Sequence, residues 1–342
     1  MKHKITSFVI AECKKSKKGK EVSPISTSKS APHYFEKYVP SQFISSREEK
    51  VIDGKKIDLV IKTYHPNVIL AEATIEVLDI FAKDILQIKN DLITLCYQSI
   101  YKNEARTDLA EEYTVYQVSQ FEEDPNYFLE QKKEIIASLL KSEKLNLNDR
   151  EIEYTLQNKI QYAKDDLFVA DWDGAFIFDK EGDFGETVEL IQIANYQLLR
   201  CRILDKDLDD KMQAIPNLIL FEQKKWSIFP NKEITKEFKE IIQLRTNAII
   251  QFEALDRDIK LIGDWYSARL YDLLSKKFRL EEWRKTTKDK LESLESMYTI
   301  ASEDFGMSRK QRLELIEIWG FFILQIGWFA LIILEFIYFT RK

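Results

Sequence analysis

The sequence predicts an α+β protein with an N-terminal mixed domain over residues 1–225, a long helical hairpin or coiled-coil stalk over 231–306, and a membrane anchor over 307–342. Three observations carry this expectation. Apolar residues over 1–225 repeat with period two in some stretches and at three-four spacing in others, the signature of mixed strands and helices. No Pro interrupts Asn231 to Lys342, where apolar residues recur at spacings of three and four. From Ile318 to Phe339 the chain reads IWGFFILQIGWFALIILEFIYF, an almost unbroken apolar run.

The elements follow in order. Ile5–Glu12 (ITSFVIAE) alternates as a strand does, whereas residues 21–33 (EVSPISTSKSAPH) read as a loop. KIDLVIKTY (56–64) and VILAEATIEV (68–77) form a plausible hairpin around His65, Pro66 and Asn67. A helix-period stretch runs from about Leu78 to Lys102. Glu111–Gln120 is rich in β-branched and aromatic residues and reads as a strand. Pro125 opens a helix running to about Leu140. Asn148 with Glu151 makes a capping box, and Asp183 with Glu186 makes another, opening a helix from about Phe184 to Met212. Between them, Asp166–Ala170 and Gly174–Phe178 read as buried strand, one bulged strand being a form they could take. Leu218–Phe221 is a further apolar run. Beyond Asn231 two seams appear. The first is Phe238, Ile241, Ala248, Phe252, Leu255, Ile259, Ile262, Tyr266 and Leu273. The second is Trp283, Thr287, Leu291, Leu294, Tyr298, Ala301 and Phe305. Lys276–Arg279 between them marks a reversal, with one uninterrupted rod as the rival.

Composition bounds the function. Only 9 Gly and 7 Pro in 342 residues favour long helices over a turn-dense sandwich. A net charge of −6 is not that of a general nucleic-acid binder, and no specific nucleic acid is expected. Cys13, Cys96 and Cys201 are odd in number and far apart, which fits a reducing compartment. His3, His33 and His65 have no zinc-ligand spacing.

The C-terminal span, about 318–339, is long enough to cross a bilayer. Arg309, Lys310 and Arg312 precede it, and Arg341 and Lys342 follow. The N-terminus lacks a secretory pattern, so the large soluble part is expected to stay cytoplasmic, in a single-pass arrangement. Gly320, Leu324, Gly327, Leu331, Leu334 and Tyr338 form one stripe whose small residues allow close helix packing. Gln325 and Glu335 are polar inside the span. Glu335 is either a functional carboxylate or one shallow enough to reach the interface.

Chemistry is sparse. No phosphate loop, GxGxxG, GxSxG or HExxH occurs, and no cofactor is expected. Asp205–Asp210 resembles a calcium loop but lacks its Gly and its final Glu. Asp171, Asp173 and Asp179, with Glu181 and Asp183 nearby, are the candidate metal ligands, since carboxylates at i and i+2 of a strand share a face. Asp at strand ends and turns also caps backbone groups. Glu222-Gln223-Lys224 after an apolar run matches the ExK of some metal-dependent nucleases. Lys14–Lys20 is a basic segment able to meet anionic headgroups.

DDLFVADWDGAFIFD (165–179), ELIQIANYQLLRCRILDKDLD (189–209) and FRLEEWRKTTKDKLESLESMYTI (278–300) resemble segments of uncharacterised bacterial proteins anchored in the membrane at their C-terminus. The layout is similar to the meiotic-nuclear-division, or sporulation, family, which ends in a helical hairpin and one membrane helix. The resemblance implies an organisational role in oligomeric membrane proteins and supplies no catalytic residues. The expectation is therefore a membrane-anchored oligomeric scaffold or tether, with membrane lipid, further copies of itself and an unidentified protein as partners. Its rivals are a membrane-bound metal-dependent hydrolase or nuclease using the acidic residues at 171–183, and a transport accessory protein using Glu335.

Overall fold

The computed structural model describes residues 1–13, 20–22, 42–52, 54–64, 67–224, 236, 239–240, 242–247, 249–250 and 265–340. The loop expected at 21–33 lies outside these apart from its first two residues. So do the basic segment 14–19 and most of the first apolar seam, from Phe238 to Ile262.

Among the described residues, nine strands make one sheet. They are β1 (Lys2–Cys13), β2 (Lys20–Val22), β3 (Gln42–Ile52), β4 (Lys55–Tyr64), β5 (Val68–Val77), β6 (Ala105–Ser119), β7 (Lys159–Ile160), β8 (Asp166–Ala170) and β9 (Gly174–Asp179). Their order is β2-β3-β4-β5-β1-β6-β9-β8-β7. All neighbours are antiparallel except β6 and β9, which run parallel. The described residues also include the helices α1 (Ile85–Tyr101), α2 (Pro125–Gln131), α3 (Lys133–Leu140), α4 (Asp149–Leu156), α5 (Gly185–Lys224), α6 (Trp265–Lys277) and α7 (Leu280–Thr340).

The chain divides into two compact units, residues 1–204 with 250–286, and residues 205–249 with 287–342. In the first unit the sheet is covered on both faces. Period two sends Ile5, Val9 and Ala11 of β1 to one face, against α1 and α3 through Leu92, Cys96, Ile136 and Leu140. Phe8 and Ile10 point to the other, against α5 and α6 through Ile191, Leu198, Leu270 and Leu274. Burial on both sides explains why the central strands read as nearly continuous apolar runs. Gln192 of α5 donates to Glu72 at 2.6 Å and accepts from Lys62 at 3.0 Å, so that the long helix is pinned to β4 and β5.

Local chemistry explains the boundaries. Asp79 accepts from the Phe81 backbone at 3.0 Å, a turn that holds residues 78–84 out of α1. Asp124 caps α2 by accepting from Asn126 N at 2.8 Å. Asn148 caps α4 by accepting from Glu151 N at 2.9 Å, as the capping box predicts. The helix expected from Pro125 to Leu140 breaks at Lys132, where φ is −120°.

Two expectations need correction. Asp166–Ala170 and Gly174–Asp179 are not one bulged strand but the antiparallel hairpin β8–β9, with Ala170 opposite Ala175. Asp171 N donates to Gly174 O at 2.9 Å and closes its turn. The extended conformation that an ExK site would need over Leu218–Lys224 is absent, because these residues belong to α5, which continues past Pro216 and Asn217.

Tyr266 and Leu273, from the first seam, pack on the sheet with Leu270, Tyr271, Leu274 and Phe278. Burying such side chains contributes roughly 1.5–3 kcal/mol each, enough to hold α6 to the sheet. In the second unit, Leu208, Leu291 and Leu294 are buried. The acidic run at 205–210 supplies Asp205 and Asp209, which pair with Lys290 at 2.7 and 2.6 Å.

Candidate functional site: the Asp171 turn and the C-terminal helix

The β8–β9 turn, Asp171-Trp172-Asp173, gathers polar and charged groups from β6, α6 and the end of α3, with Glu151 of α4 behind them. Asp171 is 6% exposed. Its Oδ1 accepts from Trp172 N at 2.9 Å and from Lys277 Nζ at 2.9 Å. Its Oδ2 lies 3.5 Å from Lys141 Nζ, which also pairs with Glu151 at 2.7 Å. The Tyr113 hydroxyl donates to the Asp171 carbonyl at 3.0 Å. Lys277 Nζ sits 5.3 Å from the centroid of the Tyr154 ring.

Lys277 is the last residue of α6, and the next residue completes the grip. Phe278 is fully buried, edge-on to Tyr113 at 5.7 Å and to Trp172 at 5.9 Å. Arg279 then adopts φ 53°, the left-handed conformation that ends α6 and lets α7 start at Leu280. The break falls where the basic patch Lys276–Arg279 predicts it.

Beside this clamp the electrostatics are strained. Burial raises the Asp173 carboxyl above its usual range, with Lys89 opposing the shift. Burial lowers the Lys89 ammonium, with Glu112 and Asp173 opposing. Lys89 donates to the Ser142 hydroxyl, and Ser142 occupies a left-handed position (φ 55°) just past the end of α3. Burial also pushes the Tyr97 hydroxyl up to about 12, with Glu112 adding to the shift.

The three candidate metal ligands do not converge. Asp171 faces lysines and Asp173 lies beside it, but Asp179 is at the opposite end of β9. There its Oδ1 accepts from Gly182 N at 2.6 Å and Asp183 N at 3.2 Å. Asp179 is thus a turn cap of the kind its sequence position allows. Among the described residues, no group of three or more His, Cys, Asp or Glu is placed to hold a metal ion. Glu222-Gln223-Lys224 is helical instead of extended. Cys13, Cys96 and Cys201 are buried and are not joined to one another by a disulfide.

Sequence reasoning missed Lys141, Lys277 and Phe278 as partners of the Asp171 turn. The available signal was charge complementarity between two motifs read separately, an acidic turn at 171–173 and a basic reversal at 276–279.

Within α7, Leu313–Tyr338 is 26 residues long, apolar and unburied. At about 1.5 Å per residue that is roughly 39 Å, against about 30 Å of hydrocarbon. Leu324 and Leu331 are exposed, and a Cβ at Gly320 or Gly327 would meet nothing within 4 Å. Gln325 and Glu335 lie in the same unburied stretch.

These features define a class: a mixed sheet clad by helices, continuing into one helix long and apolar enough to span a membrane. The chain belongs to the family described as uncharacterized protein MJ0711, N-terminal domain, whose family model matches residues 9–184. Uncharacterized protein MJ0711 of Methanocaldococcus jannaschii is 29% identical over 272 residues, covering 79% of this chain and 80% of the relative. No solved structure matches. The family match includes the Asp171 turn and ends as α5 begins, so Lys277 lies beyond it.

Proposed function

We propose that the chain is a single-pass, membrane-anchored tether, with its sheet domain in the cytoplasm and its copies assembled through the C-terminal helix. The observation that carries this reading is the unburied apolar segment Leu313–Tyr338. Thirteen Leu, Ile and Phe residues lie between Ile318 and Tyr338. At about −0.3 to −0.6 kcal/mol each, they favour insertion by roughly 4–8 kcal/mol. That outweighs one carboxylate, and Glu335 lies close enough to the end to reach the interface. The Asp171 clamp supports a tethering role, because it fixes the start of α7 to the folded domain. Gly320 and Gly327 leave one helix flank open to a second copy.

Protease added to intact spheroplasts should leave the sheet domain uncut, and digestion there would refute the orientation. Cross-linking in membranes should yield an oligomer that Gly327→Leu weakens. An unchanged oligomer would refute assembly through this stripe.

A further inference from the structure

The sheet face under α5 is apolar where the helix covers it, through Phe8, Ile10, Leu70 and Val115. It becomes polar beyond the helix start. Lys4, Thr6, Thr74 and Gln117 floor a groove of about 430 Å³ walled by Gly182–Gly185 and Val188. That volume is in the range of small-molecule sites. The groove lies at the carboxyl ends of the parallel pair β6–β9, where α5 begins. Gly182, at φ 83°, makes the tight turn between β9 and α5.

The groove's polar groups are incompletely used. Gln117 is 3% exposed, and its amide nitrogen donates to Thr6 Oγ1 at 2.9 Å. Its amide oxygen has no partner among the described residues. Thr6 and Thr74 share one hydrogen bond of 3.0 Å, so whichever donates, one hydroxyl hydrogen of the pair remains unspent. The Lys4 ammonium has no ion-pair partner among the described residues, whereas Arg47 is paired with Asp58 at 2.5 Å and Lys62 with Glu72 at 2.8 Å. The start of α5 adds the positive end of a helix. Asp183 and Glu189 also line the groove and work against a polyanion such as phosphate.

We infer that this groove binds a small zwitterion of the α-amino acid type. The carboxylate meets Lys4, the spare threonine hydroxyl and the first turn of α5. The ammonium meets the Gln117 amide oxygen and the acidic lining. This site is independent of the anchor and of the Asp171 clamp.

The test is thermal unfolding and isothermal titration of the full chain in detergent micelles. The probes are each of the twenty amino acids, lactate as a hydroxy acid, and inorganic phosphate. At least one amino acid should raise the unfolding temperature in a concentration-dependent way. Lys4→Met and Thr74→Val should each weaken its binding at least tenfold, and Lys4→Met, which breaks no bond among the described residues, should leave the unliganded unfolding temperature unchanged. Gln117→Leu should weaken binding as well. Absence of binding by every amino acid would overturn the inference. So would binding of lactate or phosphate alone, or amino-acid binding untouched by Lys4→Met and Thr74→Val.

Discussion

Asp171→Asn isolates what the clamp is worth. The Lys277 and Asp171 side chains are only 12% and 9% exposed, so their pair is buried. Asn keeps the shape and can still accept from Trp172 N, but it removes the charge. Lys141 retains Glu151 at 2.7 Å. Lys277 retains the neutral amide oxygen and the Tyr154 ring, and a neutral acceptor with a cation–π contact of about 0.5–2 kcal/mol does not replace a carboxylate. Removing one member of a buried pair typically costs about 3–5 kcal/mol. The partial compensation places Asp171→Asn near the lower end, at roughly 3 kcal/mol. The assay is chemical denaturation of the full chain in micelles, followed by tryptophan fluorescence, with limited proteolysis at the α6–α7 junction. Asp171→Asn/Lys277→Met should recover at least half of the loss, because no unpaired ammonium then remains buried. A cost below about 1 kcal/mol, the level of an exposed pair, would refute the clamp as an energetic unit. So would a double variant no better than the single.

Other predictions concern the same end of the sheet. Asp173 holds its proton above the usual 3.8 in the folded state, so folding carries a charge-burial penalty at neutral pH. Stability should therefore rise as pH falls from the raised value towards 3.8, and Asp173→Asn should remove that rise and stabilise the protein at pH 7. Lys89 is lowered below 10.5, so the folded form loses its proton first and stability should climb as pH approaches 10.5. Lys89→Met should flatten that alkaline limb, which thermal unfolding across pH would reveal. Gly174→Ala should cost about 1–3 kcal/mol by denaturant titration, because its Cβ would stand 3.0 Å from the Thr114 backbone oxygen.

Legibility in the sequence followed the range of the forces involved. Where one residue and its near neighbours decide, as with Asn148 capping α4 or Pro125 opening α2, the pattern reads directly. The β4–β5 hairpin is local too, and its alternation sets the register. The hairpin β8–β9 was blurred because Asp171-Trp172-Asp173 contains no Gly or Pro to announce a turn. Gly174 follows the turn, and its role is to let β6 approach. Strand β3 went unread because QFISSREEKVI is polar and half exposed, with little alternation to see. The acidic residues at 171–179 were identified as notable, but their partners are remote in sequence. Asp171 meets Lys277 across 106 positions, which no local pattern encodes.

The central claim, that Leu313–Tyr338 anchors the chain, is tested most directly by fractionation. Full-length protein and a chain stopped after Lys310 would be expressed in parallel, and their membranes washed with alkaline carbonate. The full chain should stay in the washed membranes, whereas the shortened chain should be in the supernatant. Release of the full chain by carbonate, or retention of the shortened one, would contradict it.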